Sequence, residues 1–434
     1  KKVTPKDLEP WLGDEAALAL VDAGQATAGS LVIVQVKDVG EARKFLARNP
    51  RRSAIRRYKG DRVDEFGAVN VAFADGYMLI GQPPTVNGAL DLSNGRGEPL
   101  TKDPTYRQAT SKLPADRAGD AFITAGGLRR LLVPQGDVIG SLAVMLEQPG
   151  LRAAAVSAEA RDEGLKLNVR SLLDPKQQQR SDEDGFDPQL VEAVPKDTMA
   201  YLGTSGISGT LGNLVAAAAG GANAGGVGPL LGRLRTELGK QTDGALERDL
   251  LKLFEGEVAV VLNQATPAPT LSLVTKTGDE DRTASVLRRL QQPLVKLLTP
   301  EGEQAPRWSR DDVGDGVVVQ TLTTPAGVTV SYAVFDGRLV LGTGPAAIRR
   351  IKDANENLTD DATFASVTKG RRNQVTSLGF LDFTQLLELG EQTGLNDSRS
   401  YLAAREDLHR IRAIGISSHA TEGETTAEIL LQIP

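Results

Sequence analysis

The chain has 434 residues, of which 40% are hydrophobic and only 4% aromatic, a length suited to two packed domains with largely aliphatic cores. Its net charge of -6 is mixed along the sequence with no basic block, which argues against a nucleic-acid partner. The lack of cysteine excludes a thiolate nucleophile, a thiolate metal site and a disulfide framework, and no apolar run reaches the ~18 residues needed to span a bilayer.

Residues 16–20 and 30–36 read as short buried strands, and 41–47 as a helix with apolar residues at helical spacing. Asp75-Gly76 sits between two apolar runs, a pattern that predicts a tight hairpin because its turn needs positive φ at both positions. Residues 159–170 carry a closing hairpin. The stretch 174–193 begins polar and unpatterned, with Pro175 and Gly185, and reads as a linker. Val194-Pro195-Lys196-Asp197 then reads as a turn feeding a strand, followed by a Gly- and Ala-rich segment. Residues 258–262 read as a strand and 283–298 as an amphipathic helix. A hairpin over 317–332 precedes a second Asp-Gly turn at Asp336-Gly337 and has no counterpart in the first half, and 419–432 form another closing hairpin.

These elements repeat. Trp11-Leu12-Gly13-Asp14-Glu15-Ala16-Ala17 reads like Leu253-Phe254-Glu255-Gly256-Glu257-Val258-Ala259, and Leu31-Val32-Ile33-Val34 like Leu271-Ser272-Leu273-Val274. Phe73-Ala74-Asp75-Gly76 matches Phe335-Asp336-Gly337 and its flanks, and Leu151-Arg152-Ala153 matches Ile411-Arg412-Ala413. Order and spacing are kept throughout, so the chain is two tandem copies of one unit: 1–173, a linker at 174–193, and 194–434. The second copy carries an opening strand and a Gly-rich stretch for which the first has no equivalent. The expectation is that about 50 residues of the first copy precede Lys1. The fold class expected is α+β, each copy a mostly antiparallel sheet with helices packed on one face.

No catalytic constellation emerges. His409 lies in a charged helical stretch and His419 in a strand; neither recurs in the other copy, and neither has metal-ligand spacing to a partner. Asp182-Glu183-Asp184 lacks the alternating pattern and distant glutamate of a calcium loop. Gly203, Gly206, Gly209 and Gly212 follow a strand, but the first spacing does not fit a dinucleotide fingerprint. No Gly-x-Ser-x-Gly elbow exists. No cofactor or metal is therefore expected. The binding candidates that remain are those four glycines, with 203–232 as a possible lid over an apolar pocket, and two residue types that recur at matching positions: Glu15 with Glu257, and Arg152 with Arg412. The carboxylate and guanidinium of each copy are placed to pair with one another or to line a groove.

Val194-Pro195-Lys196-Asp197-Thr198-Met199-Ala200-Tyr201 and the join Arg248-Asp249-Leu250-Leu251 into Phe254-Glu255-Gly256-Glu257 resemble a bacterial family, common in actinobacteria, known as domain of unknown function 3352. The resemblance implies an extracytoplasmic location in the cell envelope and a membrane anchor or lipoprotein-type signal ahead of the duplicated region. It supplies no catalytic residues. The function expected is a non-enzymatic, membrane-tethered envelope protein that binds a protein partner or an apolar ligand. A lipid carrier and a hydrolase are the alternatives.

Overall fold

The computed structural model describes residues 4–21, 29–48, 52–132, 150–176, 185–205, 249–250, 252–265, 268–299, 304–324, 327 and 329–433. They fall into two compact units, one of residues 1–108 and 126–140, the other of 109–125 and 141–434.

The first unit is built on six antiparallel strands: β1 (Leu12–Val21), β2 (Gly29–Val36), β3 (Ala54–Tyr58), β4 (Asp61–Phe66), β5 (Val69–Ala74) and β6 (Tyr77–Gly81). Their order is β1-β2-β6-β5-β4-β3. The predicted β5–β6 turn is present, with Asp75 at φ 50° and Gly76 at φ 81°. The side chain of Asp38 accepts the Glu41 N–H at 3.0 Å and starts the helix Val39–Ala47. That helix buries Ala42 and Leu46 against Trp11, Val36, Val71 and Met78. The helix Pro83–Ser93 opens with proline and buries Val86 and Leu90 against Leu31, Val63, Ala72 and Leu79. Met78 and Leu79 are successive on one strand, so the two helices cover opposite faces of the sheet. The helical layer expected on one face is thus matched by a second.

The second unit carries a thirteen-stranded sheet in the order β13-β14-β15-β16-β12-β11-β10-β17-β18-β19-β9-β8-β7. Three of its strands come from the first copy: β7 (Gly119–Thr124), β8 (Leu151–Arg161) and β9 (Gly164–Leu173). The others are β10 (Thr198–Ser205), β11 (Glu257–Asn263), β12 (Thr270–Lys276), β13 (Trp308–Asp312), β14 (Val318–Thr323), β15 (Thr329–Phe335), β16 (Arg338–Gly342), β17 (Ser377–Asp382), β18 (Ala413–Thr421) and β19 (Glu424–Gln432). Here too helices cover both faces. Val286, Leu287 and Leu290 of the helix Glu280–Leu298 pack with Val258 and Leu339. Ile348 and Ile351 of Pro345–Lys352 pack with Val261 and Val340.

The strand order makes the repeat visible: β13-β14-β15-β16-β12-β11 reproduces β3-β4-β5-β6-β2-β1. The hairpin assigned to the second copy alone, β14 and β15, therefore has a counterpart in β4 and β5, and β13 has one in β3. β3 and β4 are hidden in sequence by charge: Arg56, Arg57, Arg62, Asp64 and Glu65 replace the apolar alternation. The match of the second strands also slides by one residue. Leu31 pairs with Gly81 as Ser272 pairs with Gly342, so Leu31 takes the place of Ser272 rather than Leu271.

The copies are joined through their closing hairpins. β9 pairs antiparallel with β19, with Leu172 opposite Glu424, Asn168 opposite Glu428 and Gly164 opposite Gln432. Arg170 of β9 holds Glu424 of β19 with two contacts of 2.7 Å, and its Nη1 donates to the Ala109 carbonyl and to Ser111 Oγ, both at 3.1 Å. Of the predicted linker, residues 177–184 lie outside the described ones. Its later part is packed: Leu190, Val191 and Ala193 are buried in the second copy's core, and Phe186 bridges to Val375.

The helix Ala362–Thr368 lies directly on β18. A Cβ added at Gly415 would stand 2.1 Å from the Val367 carbonyl oxygen. Replacing Gly415 by alanine should therefore push the helix off the sheet and cost about 2 kcal/mol. An unchanged urea midpoint would contradict this contact.

Candidate functional site

The start of β10 forms one wall of an open cleft of about 760 Å³ in the second unit. The turn predicted from Val194 to Asp197 is fixed locally: Thr198 Oγ1 donates to the Pro195 carbonyl at 2.6 Å and accepts from Asn263 Nδ2 at 2.9 Å. Pro195 also bridges to Asn357. This anchoring turns Lys196 and Asp197 outward into the cleft. The facing wall is the end of the helix Pro345–Lys352, which contributes Arg349 and Arg350. Phe380 of β17, 1% exposed, lies at the base.

Charge dominates the rim, and most of it is already paired. Asp197 is ion-paired with Arg350, and Lys196 with Glu356 at 3.2 Å. Asp361 accepts the Phe364 N–H at 2.6 Å and Asp382 the Gln385 N–H at 3.0 Å, so both carboxylates cap helices rather than await a proton. One donor remains open to the cleft: among the described residues the exposed Arg349 has no ion pair. The Nε of Arg350 has no hydrogen-bond partner either, but it is buried. The site therefore offers an exposed guanidinium, a group suited to acceptor-rich partners.

The residues singled out from sequence lie elsewhere. Glu257 is buried at 9% exposure and accepts the N–H groups of Gln189 at 3.1 Å and Leu190 at 2.9 Å. Burial raises its pKa, against the pull of those two backbone donors. Glu257 holds the 3-10 turn Leu190–Ala193 rather than Arg412, whose carbonyl accepts from Phe383 at 3.0 Å. Glu15 is exposed and accepts from the Tyr77 hydroxyl at 2.8 Å, while Arg152 is exposed on β8. Gly203 sits inside β10, where a Cβ would meet the Tyr201 hydroxyl at 2.5 Å; it makes room for a buried tyrosine. Gly206, Gly209 and Gly212, and with them nearly all of the 203–232 segment, lie outside the described residues.

His409 ends the helix Arg399–Leu408 and its Nε2 stands 3.0 Å from Glu391. Hydrogen bonds from Arg405, Tyr401 and His409 hold the Glu391 carboxyl down at about 2. His419 is half-buried in β18, and burial lowers its pKa. Among the described residues no three His, Asp or Glu side chains converge as a metal group, and no helix is long and apolar enough to cross a membrane.

Sequence reading passed over Arg349, Arg350 and Lys196. The one signal available was the Arg-Arg pair in the last turn of a helix that begins at Pro345, next in space to the Val194-Pro195-Lys196-Asp197 turn.

No curated protein matches the chain. A solved structure, crystal form III of TP0453, is similar at 8% identity and a TM-score of 0.27, over 56% of this chain and 79% of that one; a likeness so slight carries no argument. The repeat and the join at Phe254–Val258 instead fall within a sequence family that matches residues 5–433, and the chain belongs to that family, the proteins of unknown function DUF3352.

Proposed function

We propose that this is a non-enzymatic binding protein of the cell envelope, tethered to the membrane by a segment ahead of Lys1, and that the cleft at the start of β10 holds its partner. One observation carries the reading of the cleft. Its carboxylates are committed to ion pairs and helix caps, while among the described residues the exposed Arg349 has no ion pair. Such a surface recognises a carboxylate- or phosphate-bearing group more readily than it drives proton transfer. The charged rim favours a polar partner over a bare apolar ligand.

Two measurements test it. Arg349→Glu, a change at an exposed side chain, should leave the melting temperature unchanged and weaken capture of the partner from a detergent-solubilised envelope fraction by at least about tenfold. Equal capture by both proteins removes the cleft from consideration. The full-length protein should sediment with membranes and be cleaved by protease added outside intact cells. Recovery in the soluble cytosol would overturn the tether.

A further inference from the structure

β11 and β1 are the same strand in the two copies, because each pairs with the second strand of its copy in one register: Val260 opposite Leu273, Leu18 opposite Val32. Their outer edges differ. β11 is flanked by β10, with Tyr201 opposite Val261, Gly203 opposite Ala259 and Ser205 opposite Glu257. β1 is the last strand of its sheet. The burial follows the pairing. Val258, Ala259 and Val261 are 0% exposed, whereas their equivalents Ala16 and Ala17 are exposed and Ala19 is half-buried; Leu18 and Leu20, 69% and 47% exposed, stand where the second copy has the half-buried Val260 and Leu262. Glu15 shows the same contrast. Its counterpart Glu257 accepts two backbone N–H groups from the turn that leads into β10, while among the described residues Glu15 accepts from a tyrosine hydroxyl alone.

An edge strand that is meant to stay an edge is guarded by lysine, proline or a bulge. β1 has a register irregularity between Leu12 and Ala16, but from Ala16 to Val21 its pairing is regular and it has no charged residue and no proline; that stretch has the sequence of an interior strand. The second copy supplies the occupant that such a strand requires.

We propose that the outer edge of β1 is covered by a strand lying ahead of Lys1 in the full-length polypeptide. It runs antiparallel to β1 as β10 runs to β11. Its counterpart of Gly203 lies opposite Ala17 and its counterpart of Tyr201 opposite Ala19, and Glu15 receives the backbone N–H groups of the turn before it. The strand converts β1 from an apolar edge into an interior strand and removes a template for edge-to-edge aggregation. The inference is independent of any membrane anchor, since it concerns only the strand next to β1.

Hydrogen exchange on two proteins tests it: residues 1–434, and the same chain extended by about 50 preceding residues, the span by which the second copy exceeds the first. The amides of Ala16, Leu18 and Leu20, which point away from β2, should exchange at least about 100-fold more slowly in the extended protein. Ala17→Glu should abolish that gain and leave the shorter protein's stability unchanged, because Ala17 is exposed there. Equal exchange in the two proteins overturns the proposal. So does protection in the shorter protein that rises with concentration, which would assign the edge to a second molecule, and so does an Ala17→Glu cost that is the same in both.

Discussion

Replacing Phe380 by alanine should destabilise the second unit by about 4 kcal/mol. The ring is 1% exposed and stacks edge-on against Phe364, centroids 5.4 Å apart and planes at 80°. It belongs to the cluster that also holds Tyr201, Val261, Ile348 and Leu378, so its loss opens a cavity among β10, β17 and the helices on that face. Part of the cost is transfer of the ring and part is the void, because residues pinned by strand pairing on both sides of β17 relax little. Phe380→Leu keeps more of the volume and should cost less than half as much. The check is a pair of urea unfolding curves followed by a probe in the second unit. If alanine and leucine give the same small loss, the cluster is looser than its burial indicates. Phe380 also lies at the base of the cleft, so Phe380→Leu should weaken partner capture without unfolding the protein.

Replacing Arg170 by alanine should cost about 3 kcal/mol, because Glu424 would keep its charge with most of its neutralisation gone. Both side chains are largely buried, at 8% and 14% exposure. Among the described residues only Lys112, 3.2 Å away at the surface, would remain as a counter-ion. The effect has a pH signature. The Arg170 hydrogen bonds hold the Glu424 pKa below its ordinary 4.5, against the opposing effect of burial. A depressed carboxylate stabilises the fold above its unfolded pKa, and that stabilisation fades as pH falls through the lower folded value. The wild-type protein should therefore lose stability steeply as pH drops below about 4.5, while Arg170→Ala should show a flatter acid limb. Parallel pH profiles for the two proteins would show that the pair does not couple the closing strands. Replacing both residues by apolar ones of similar size should restore much of the loss, since the buried charges would go together.

The strands that sequence made legible are those with apolar runs and Asp-Gly turns, such as β5, β6, β15 and β16. Their patterning and the positive φ of Asp75 and Asp336 state the same structure twice. β3 and β4 were illegible because their charges pair with one another instead of alternating with apolar residues: Arg56 of β3 meets Glu65 of β4 at 2.7 Å, and within β4 Arg62 meets Asp64 at 2.9 Å. The recurrence of Glu15 and Glu257 was visible, but not their use, because the partners of Glu257 are backbone groups 67 and 68 positions away in sequence. The cleft was hidden for a related reason. It is assembled from a turn before β10 and a helix end more than a hundred residues later, and a local motif carries no trace of such a meeting.

The pairing of β9 with β19 has a consequence for how the duplicated hairpins recognise each other. Leu172 and Gln432 are equivalent positions, as are Gly164 and Glu424, and each faces the equivalent of the other's partner, with Asn168 and its equivalent Glu428 face to face at the centre. This is an isologous contact, the self-complementary arrangement of a two-fold homodimer, written into one polypeptide. Such contacts close on themselves: each hairpin spends the same edge on the other, and no equivalent edge is left to recruit a third. Arg170 and Glu424 break the equivalence, since their counterparts are Leu430 and Gly164. Fusion freed the two halves of a symmetric interface to diverge, and the buried ion pair stands on the side where they did.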